Sequence, residues 1–306
     1  MDEWKKLADQ LADPELVRYF YLSFEPKTLI RHIDALQLTL TESQDMVPFN
    51  AQVKGYYGAL DSEGDLWIVK PVTYPKELLY HRLCTLAYVL DHWMGTLAAP
   101  TTVFKINGAN YRATKVIQKA MQISSYNYLE QPFIGILRAD LINRWWFFDE
   151  DRNPNNYLVI HNKANKPFVC AIDYDKADLA STEMKITGNP EKFGWFRKEK
   201  TRFLTLLRPD HFEGVSIESF EERLQAMMSI PDQYLNEVAL QLFVGFTEKP
   251  DEMANQITKN MVDRRNYINT YFRAMFKPAS ETLSTSHDND YSMLGASFMA
   301  IHRDKK

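Results

Sequence analysis

The sequence predicts an α+β fold, a small β-rich part followed by a larger helical part, and three observations carry that prediction. Residues 50–120 read as two short hairpins on either side of one helix. Most of the rest has helical periodicity. A third hairpin, entered through a loop rich in acids and amides, interrupts the helical part.

Residues 1–45 predict helices. Leu7, Leu11, Leu16 and Tyr19 recur at near-helical spacing, and Asp13-Pro14 breaks the run. "PKTLIRHIDALQL" continues with Leu29, Ile30, Ile33 and Leu36. The pattern then changes: "QVKGYYGAL" and "DLWIVKP" are short, β-branched and aromatic, and "DSEG" joins them as a turn. "PKELLYHRLCTLAYVLDHWMG" is a helix with Leu79, Leu83, Leu86 and Leu90 along one side, stopped by Gly95. "PTTVFKING" and "NYRATKVIQ" form a second hairpin through Asn107-Gly108, residues that tolerate the positive φ of a two-residue turn. "FIGILRADLINRWWFF" sets Ile136, Asp140 and Arg144 on one helix face, with Leu137, Leu141 and Trp145 beside them. "NYLVI", "HNKANKP" and "FVCAID" make the third hairpin. "KTRFLTLL", "SIESFEERLQAMMSI", "PDQYLNEVALQLFVGF" and "EMANQITKNMVDRRNYINTYFRAMF" return to helix. The expected division is a helical extension over 1–45, a β-rich unit over 46–122, a mostly helical unit over 123–277 and a Ser/Thr/Asp-rich, loosely held tail over 278–306.

Composition excludes some functions. Apolar residues make up 45% of the chain, charged residues 25%, and the net charge is -4, so the basic footprint of a nucleic-acid binder is missing. Cys84 and Cys170 sit in apolar surroundings, without CxxC or Cys/His metal spacing, and are expected to be buried reduced thiols of a cytoplasmic protein. The first residues lack the apolar stretch of a signal peptide, and no run approaches the roughly 18 apolar residues of a membrane span.

The chemistry concentrates at the third hairpin. An antiparallel hairpin brings the start of its first strand beside the end of its second. Asn156 and Asp173 therefore emerge together, with Asp151 on the incoming loop. A carboxylate facing an amide oxygen suits Mg²⁺, which takes a few oxygen ligands and leaves the rest to water and phosphate. A carboxylate kept off the metal can orient a hydroxyl and take its proton. An EF-hand is excluded, although Asp149, Asp151, Asn153 and Asn155 alternate like its ligands. Pro154 stands where the loop needs Gly, and Ile160 where it needs Glu. Phosphate also needs positive charge, and Lys70 ends an apolar strand in the β-rich part. Glu77, in the first turns of the following helix, is its expected partner, ahead of Glu63. Gly55, Gly58 and Gly64 do not form a G-x-G-x-x-G loop. Any phosphate contact from "YYGALDSEGD" would come from backbone amides of a plain hairpin.

Taken in order, these pieces resemble a kinase-like family. "DRNPNNYLV" resembles the catalytic loop of the HipA-like kinases and the type II phosphatidylinositol 4-kinases. "FVCAIDYDKADL" resembles their metal-binding segment. "IVKP" followed by "KELLYHRLCTLAYVLDHWMGTLAAPTTVFKI" is similar to the HipA-like lysine strand, its Glu-bearing helix and the next strand. The likeness runs over roughly residues 50–275. It implies a bilobal atypical protein kinase-like fold with a small β-rich N-lobe and a larger helical C-lobe. It also implies ATP and Mg²⁺ as cofactors, Asp151 as the catalytic aspartate, Asn156 and Asp173 as metal ligands and Lys70 on the ATP phosphates. Adenine would lie against the connector over residues 116–121, at Gln118 and Met121. The sequence departs from the family in lacking a polar pair before Asp151. It also carries Asp175 where a small residue is usual, which adds a metal ligand or crowds the site. The implied reaction is phosphoryl transfer to a protein Ser/Thr hydroxyl. A lipid acceptor is second, since the cysteines are unclustered and no basic amphipathic helix stands out. The basic run over residues 196–202 is the segment suited to an acidic substrate. A catalytically inactive, nucleotide-binding module acting through partners is the remaining alternative.

Overall fold

The computed structural model describes residues 2–41, 52, 54–149, 151–180, 207 and 209–279. Three helices open the chain: α1 (Glu3–Leu11), α2 (Pro14–Tyr19) and α3 (Pro26–Ala35). Asp13-Pro14 both ends one helix and starts the next. The Asp13 carboxylate accepts from Glu15 N at 3.1 Å, and Pro14 takes the first helical position, where no backbone donor is needed. Glu25 caps α3 in the same way, accepting from Thr28 N at 2.8 Å ahead of Pro26.

The first sheet has the order β1-β2-β3-β6-β5 and is antiparallel throughout. Its strands are β1 (Thr39–Leu40), β2 (Tyr57–Leu60), β3 (Leu66–Pro71), β5 (Thr101–Ile106) and β6 (Ala109–Lys115). The β5–β6 turn is Asn107-Gly108, both at positive φ (50° and 85°), as a two-residue hairpin turn of the type I′ class requires. Between β3 and β5 runs α4 (Pro75–Trp93), buried on every side from His81 to Trp93, so its apolar residues do not confine themselves to a stripe. Gly95 follows at φ 68°; a Cβ there would stand 2.9 Å from the Glu3 carbonyl oxygen, so the turn after α4 is pressed directly onto α1.

The second sheet has the order β4-β9-β8-β7, from β4 (Leu97–Ala98), β7 (Met121–Gln122), β8 (Tyr157–His161) and β9 (Pro167–Ala171). Residues 116–120 connect the two sheets, and Val116 N donates to Leu66 O at 2.8 Å. The helical part comprises α5 (Phe133–Phe147), α6 (Glu218–Ser229), α7 (Asp232–Phe243) and α8 (Pro250–Met275). The observed class is therefore the expected α+β arrangement, β-rich first and helical after.

One large core runs from Trp4 through α3, α4, α5 and α8 to Phe276, and a smaller one packs α1 against β8 and β9 through Leu7, Leu11, Ile160, Phe168 and Cys170. Buried Arg82 links α3, α4 and α7: it pairs with Asp34 at 2.5 Å and donates to Leu242 O at 2.8 Å. Among the described residues, no helix is long and apolar enough to cross a membrane. The basic run over 196–202, most of the expected helix over 200–207 and the tail from 280 lie outside the described residues.

Candidate functional site

The register of the third hairpin, Tyr157 opposite Ala171, continues one step outward, because Ile172 N donates to Asn156 O at 3.0 Å. Asp173 is the next residue. Asn156 ends a one-turn 3₁₀ helix (Pro154–Asn156) that Asn153 caps by accepting from Asn155 N at 2.9 Å. Asn153 Nδ2 also donates to Asp151 Oδ1 at 3.2 Å. Asn156 Nδ2 donates to the Asp151 carbonyl, which fixes the orientation of the amide and leaves its oxygen as the atom suited to a cation. Asp151 is half-buried and Asn156 buried.

Arg152 holds the two sides of this mouth together. Its buried guanidinium donates to Ile172 O at 3.1 Å and to Asp173 O, and lies 2.8 Å from the Asp149 carboxylate. Asp173 is at φ 59°, the left-handed region that Asp tolerates better than most residues. The donors from Arg152 to its carbonyl and the preceding one stabilise that conformation. Phe148 is likewise left-handed, at φ 48°, where it ends α5 and turns the chain toward the site.

A buried charge network supports the loop from behind. Arg144 pairs with Asp91, with Asp140 at 3.2 Å and with Asp149 at 3.4 Å. Tyr174 Oη donates to Asp91 at 2.6 Å, Tyr157 Oη donates to Asp140, and Asn143 Nδ2 donates to Asp91 at 2.7 Å. Burial pushes the Asp149 carboxyl above the ordinary carboxylate range, with Arg152 and Arg144 opposing it. So Asp140 and Arg144, expected on one helix face, do meet, and Asp149 is spent on two arginines inside the protein. That use of Asp149 independently rules out an EF-hand.

The cation beside Asp173 is Arg112. Lys70 on β3 and Arg112 on β6 are register partners and project from the same face of the first sheet. Arg112 Nη2 lies 3.0 Å from Asp173 Oδ1, and its Nη1 pairs with Asp175. Burial alone would raise the Asp173 carboxyl, but Arg112 and Arg152 outweigh it and hold the group below its ordinary range. Asp175 goes the other way: burial raises it, and Arg112 only partly compensates. From α4, Tyr80 Oη donates to Asp175 O. His81, next to it, is pushed down to about 4 by burial, with Arg112 and Lys70 adding to the effect.

The remaining residues singled out from sequence take up the following positions. Lys70 does not pair with Glu77. Glu77 turns back onto its own helix and accepts from Tyr74 N at 3.4 Å, a better use of a carboxylate at a helix N-terminus. Glu63 pairs with Arg18 at 3.2 Å. The exposed Lys70 ammonium lies 5.7 Å from the Tyr56 ring centre and, among the described residues, makes no ion pair. In the β2–β3 turn three amides are already taken: Asp61 accepts from Glu63 N and Asp65 N, both at 2.9 Å, and Gly64 N donates to Asp61 O at 3.0 Å. Gln118 and Met121 are both exposed; Met121 begins β7 opposite Val159, and Tyr126 Oη reaches its sulfur at 3.9 Å. Arg112 and Arg152 were not singled out from sequence, and Asp149 was considered only as an EF-hand ligand. Arg112 comes beside Lys70 through the non-sequential pairing of β3 with β6, which sequence periodicity does not show, whereas Arg152 adjoins Asp151.

The donor set fits a hard cation. Asn156 offers an amide oxygen, and Asp173 keeps one carboxylate oxygen, Oδ2, without a protein hydrogen bond among the described residues. No family model matches this sequence, and no curated protein matches it. Among solved structures, the chain is similar to a Helicobacter pylori proinflammatory kinase, CtkA, at 10% identity and a TM-score of 0.47, over 75% of this chain and 96% of that one.

Proposed function

We propose that the chain is an ATP- and Mg²⁺-dependent kinase of the HipA-like type, transferring a phosphoryl group to a Ser/Thr hydroxyl of a protein. The observation that carries this is the Arg152 clamp, which ties the loop bearing Asp151 and Asn156 to the backbone of Asp173. Asn156 and Asp173 would hold magnesium through their oxygens; bound there, the ion neutralises charge on the phosphates. Arg112 and Lys70, on one face of the first sheet, supply the remaining positive charge, with Arg112 the better anchored of the two. Gln118 and Met121 would meet the adenine along the connector. Asp151, steadied by Asn153, orients the acceptor hydroxyl and takes its proton. A lipid hydroxyl is the second choice of acceptor.

Two observations favour a different class. Arg112 rests on Asp173, and Lys70 lacks its expected carboxylate, as in a nucleotide-binding module without turnover. The test is thermal stability with and without Mg-ATP, in the parent and in Asp173→Ala, followed by labelled-phosphate transfer to a protein mixture and to phosphatidylinositol vesicles. A ligand at a hundredfold excess over its Kd stabilises by about 2.7 kcal/mol. The parent should gain this and Asp173→Ala should not. Stabilisation without transfer selects the inactive module. No Mg-dependent stabilisation removes the nucleotide site altogether.

A further inference from the structure

His81 and Cys84 stand three residues apart on α4, so they share one side of the helix. Asp175, just past β9, reaches the same point: one ligand-capable atom from each of the three residues lies within 4.8 Å of the others. His81 is only 9% exposed, and its Nδ1 is buried with no hydrogen-bond partner among the described residues. Cys84 is fully buried and carries a free thiol. A buried ring nitrogen left unpaired costs stability unless something binds it. Imidazole, thiolate and carboxylate converging on one centre match zinc, whereas magnesium and calcium take oxygen alone.

We propose that His81, Cys84 and Asp175 form a zinc site with three protein ligands and a fourth position open to water or an exogenous ligand. The site is distinct from the Asn156 and Asp173 oxygens and does not depend on phosphoryl transfer. Arg112 pairs with Asp175 Oδ1, so the metal would share this carboxylate with the guanidinium. A bound ion would fasten α4 to the segment after β9, where Tyr80 already donates to the Asp175 carbonyl.

The full chain, stripped with a chelator, is titrated with Zn²⁺ against a chromophoric indicator and separately with Co²⁺. One equivalent should bind, and cobalt should produce a thiolate-to-metal charge-transfer band. Cys84→Ser and His81→Ala should lose the band, and Cys170→Ser should keep it. Because the Cys84 and His81 variants alter a packed helix, X-ray absorption on the zinc-loaded parent gives a check that needs no variant. One sulfur at about 2.3 Å, with the remaining ligands nitrogen or oxygen at about 2.0–2.2 Å, is expected. A shell without sulfur, a band that survives Cys84→Ser in folded protein, or no stoichiometric binding overturns the assignment.

Discussion

Replacing Arg152 with methionine removes the group that ties the loop before β8 to the segment after β9, and the structure sets the size of the effect. The Asp149 side chain is 0% exposed, so water cannot replace the lost partner. Its remaining cation is Arg144, 3.4 Å away and already shared with Asp91 and Asp140. Breaking a buried pair by removing one member costs about 3–5 kcal/mol, because a charge is left uncompensated. The carbonyls of Ile172 and Asp173 lose their donors as well, but these terms share one side chain and do not simply add. At about 2–4 °C per kcal/mol for a domain of 150–250 residues, melting should fall by roughly 6–20 °C. Urea denaturation followed by circular dichroism measures the free energy directly. Adding Asp149→Asn to Arg152→Met should restore part of the loss, since an amide leaves no buried charge. A loss below about 1 kcal/mol for Arg152→Met, or a double variant as unstable as the two single losses summed, would refute the buried-pair reasoning.

Two further outcomes follow from the geometry. The folded Asp173 carboxyl sits below its ordinary 3.8, so near that pH the native state binds fewer protons than the unfolded chain. Its stabilisation is present above the unfolded value and lost as pH falls through the folded one. The stability gap between the parent and Asp173→Asn should therefore be flat above about pH 5 and shrink on acidification; a gap that widens in acid contradicts the Arg112 pairing. Gly95→Ala puts a Cβ 2.9 Å from the Glu3 carbonyl at φ 68°. It should cost about 1–3 kcal/mol in chemical denaturation, and an unchanged midpoint would mean that α1 does not press on this turn.

What was legible in the sequence was local. Asn107-Gly108, Gly95 and Asp13-Pro14 each act through their own backbone preferences, and all three end or turn elements where expected. The third hairpin was equally legible, and its register alone brings Asn156 beside the residue before Asp173. What failed was the choice among partners. Glu77 could pair with Lys70 or cap its own helix, and the choice depends on where α4 starts relative to β3. Asp61 could have warned against an amide cradle, since an acid opening a turn takes the following amides for itself. Arg112 reaches Asp173 only because β6 lies next to β3 in a sheet whose strand order is not sequential. His81 and Cys84, three residues apart, were not read as metal ligands from sequence, and the third partner, Asp175, comes from beyond β9. The acids of "FFDEDRN" serve different ends: Asp149 is locked inside on arginines, while Asp151 is left half-buried at the mouth.

Asp151 is proposed to act on the acceptor hydroxyl and not on the nucleotide, and Asp151→Asn separates the two roles. The amide keeps the shape of the side chain and can still accept from Asn153, but it cannot take a proton. Phosphoryl-transfer rate and Mg-ATP affinity are measured together on the same folded protein. The rate should fall by about 10²- to 10⁴-fold, the range for loss of a general base, while affinity stays within a few-fold, the signature of an interaction made mainly in the transition state. Full transfer by Asp151→Asn, or a loss of nucleotide affinity that accounts for the whole drop in rate, would remove Asp151 from the proton-accepting role.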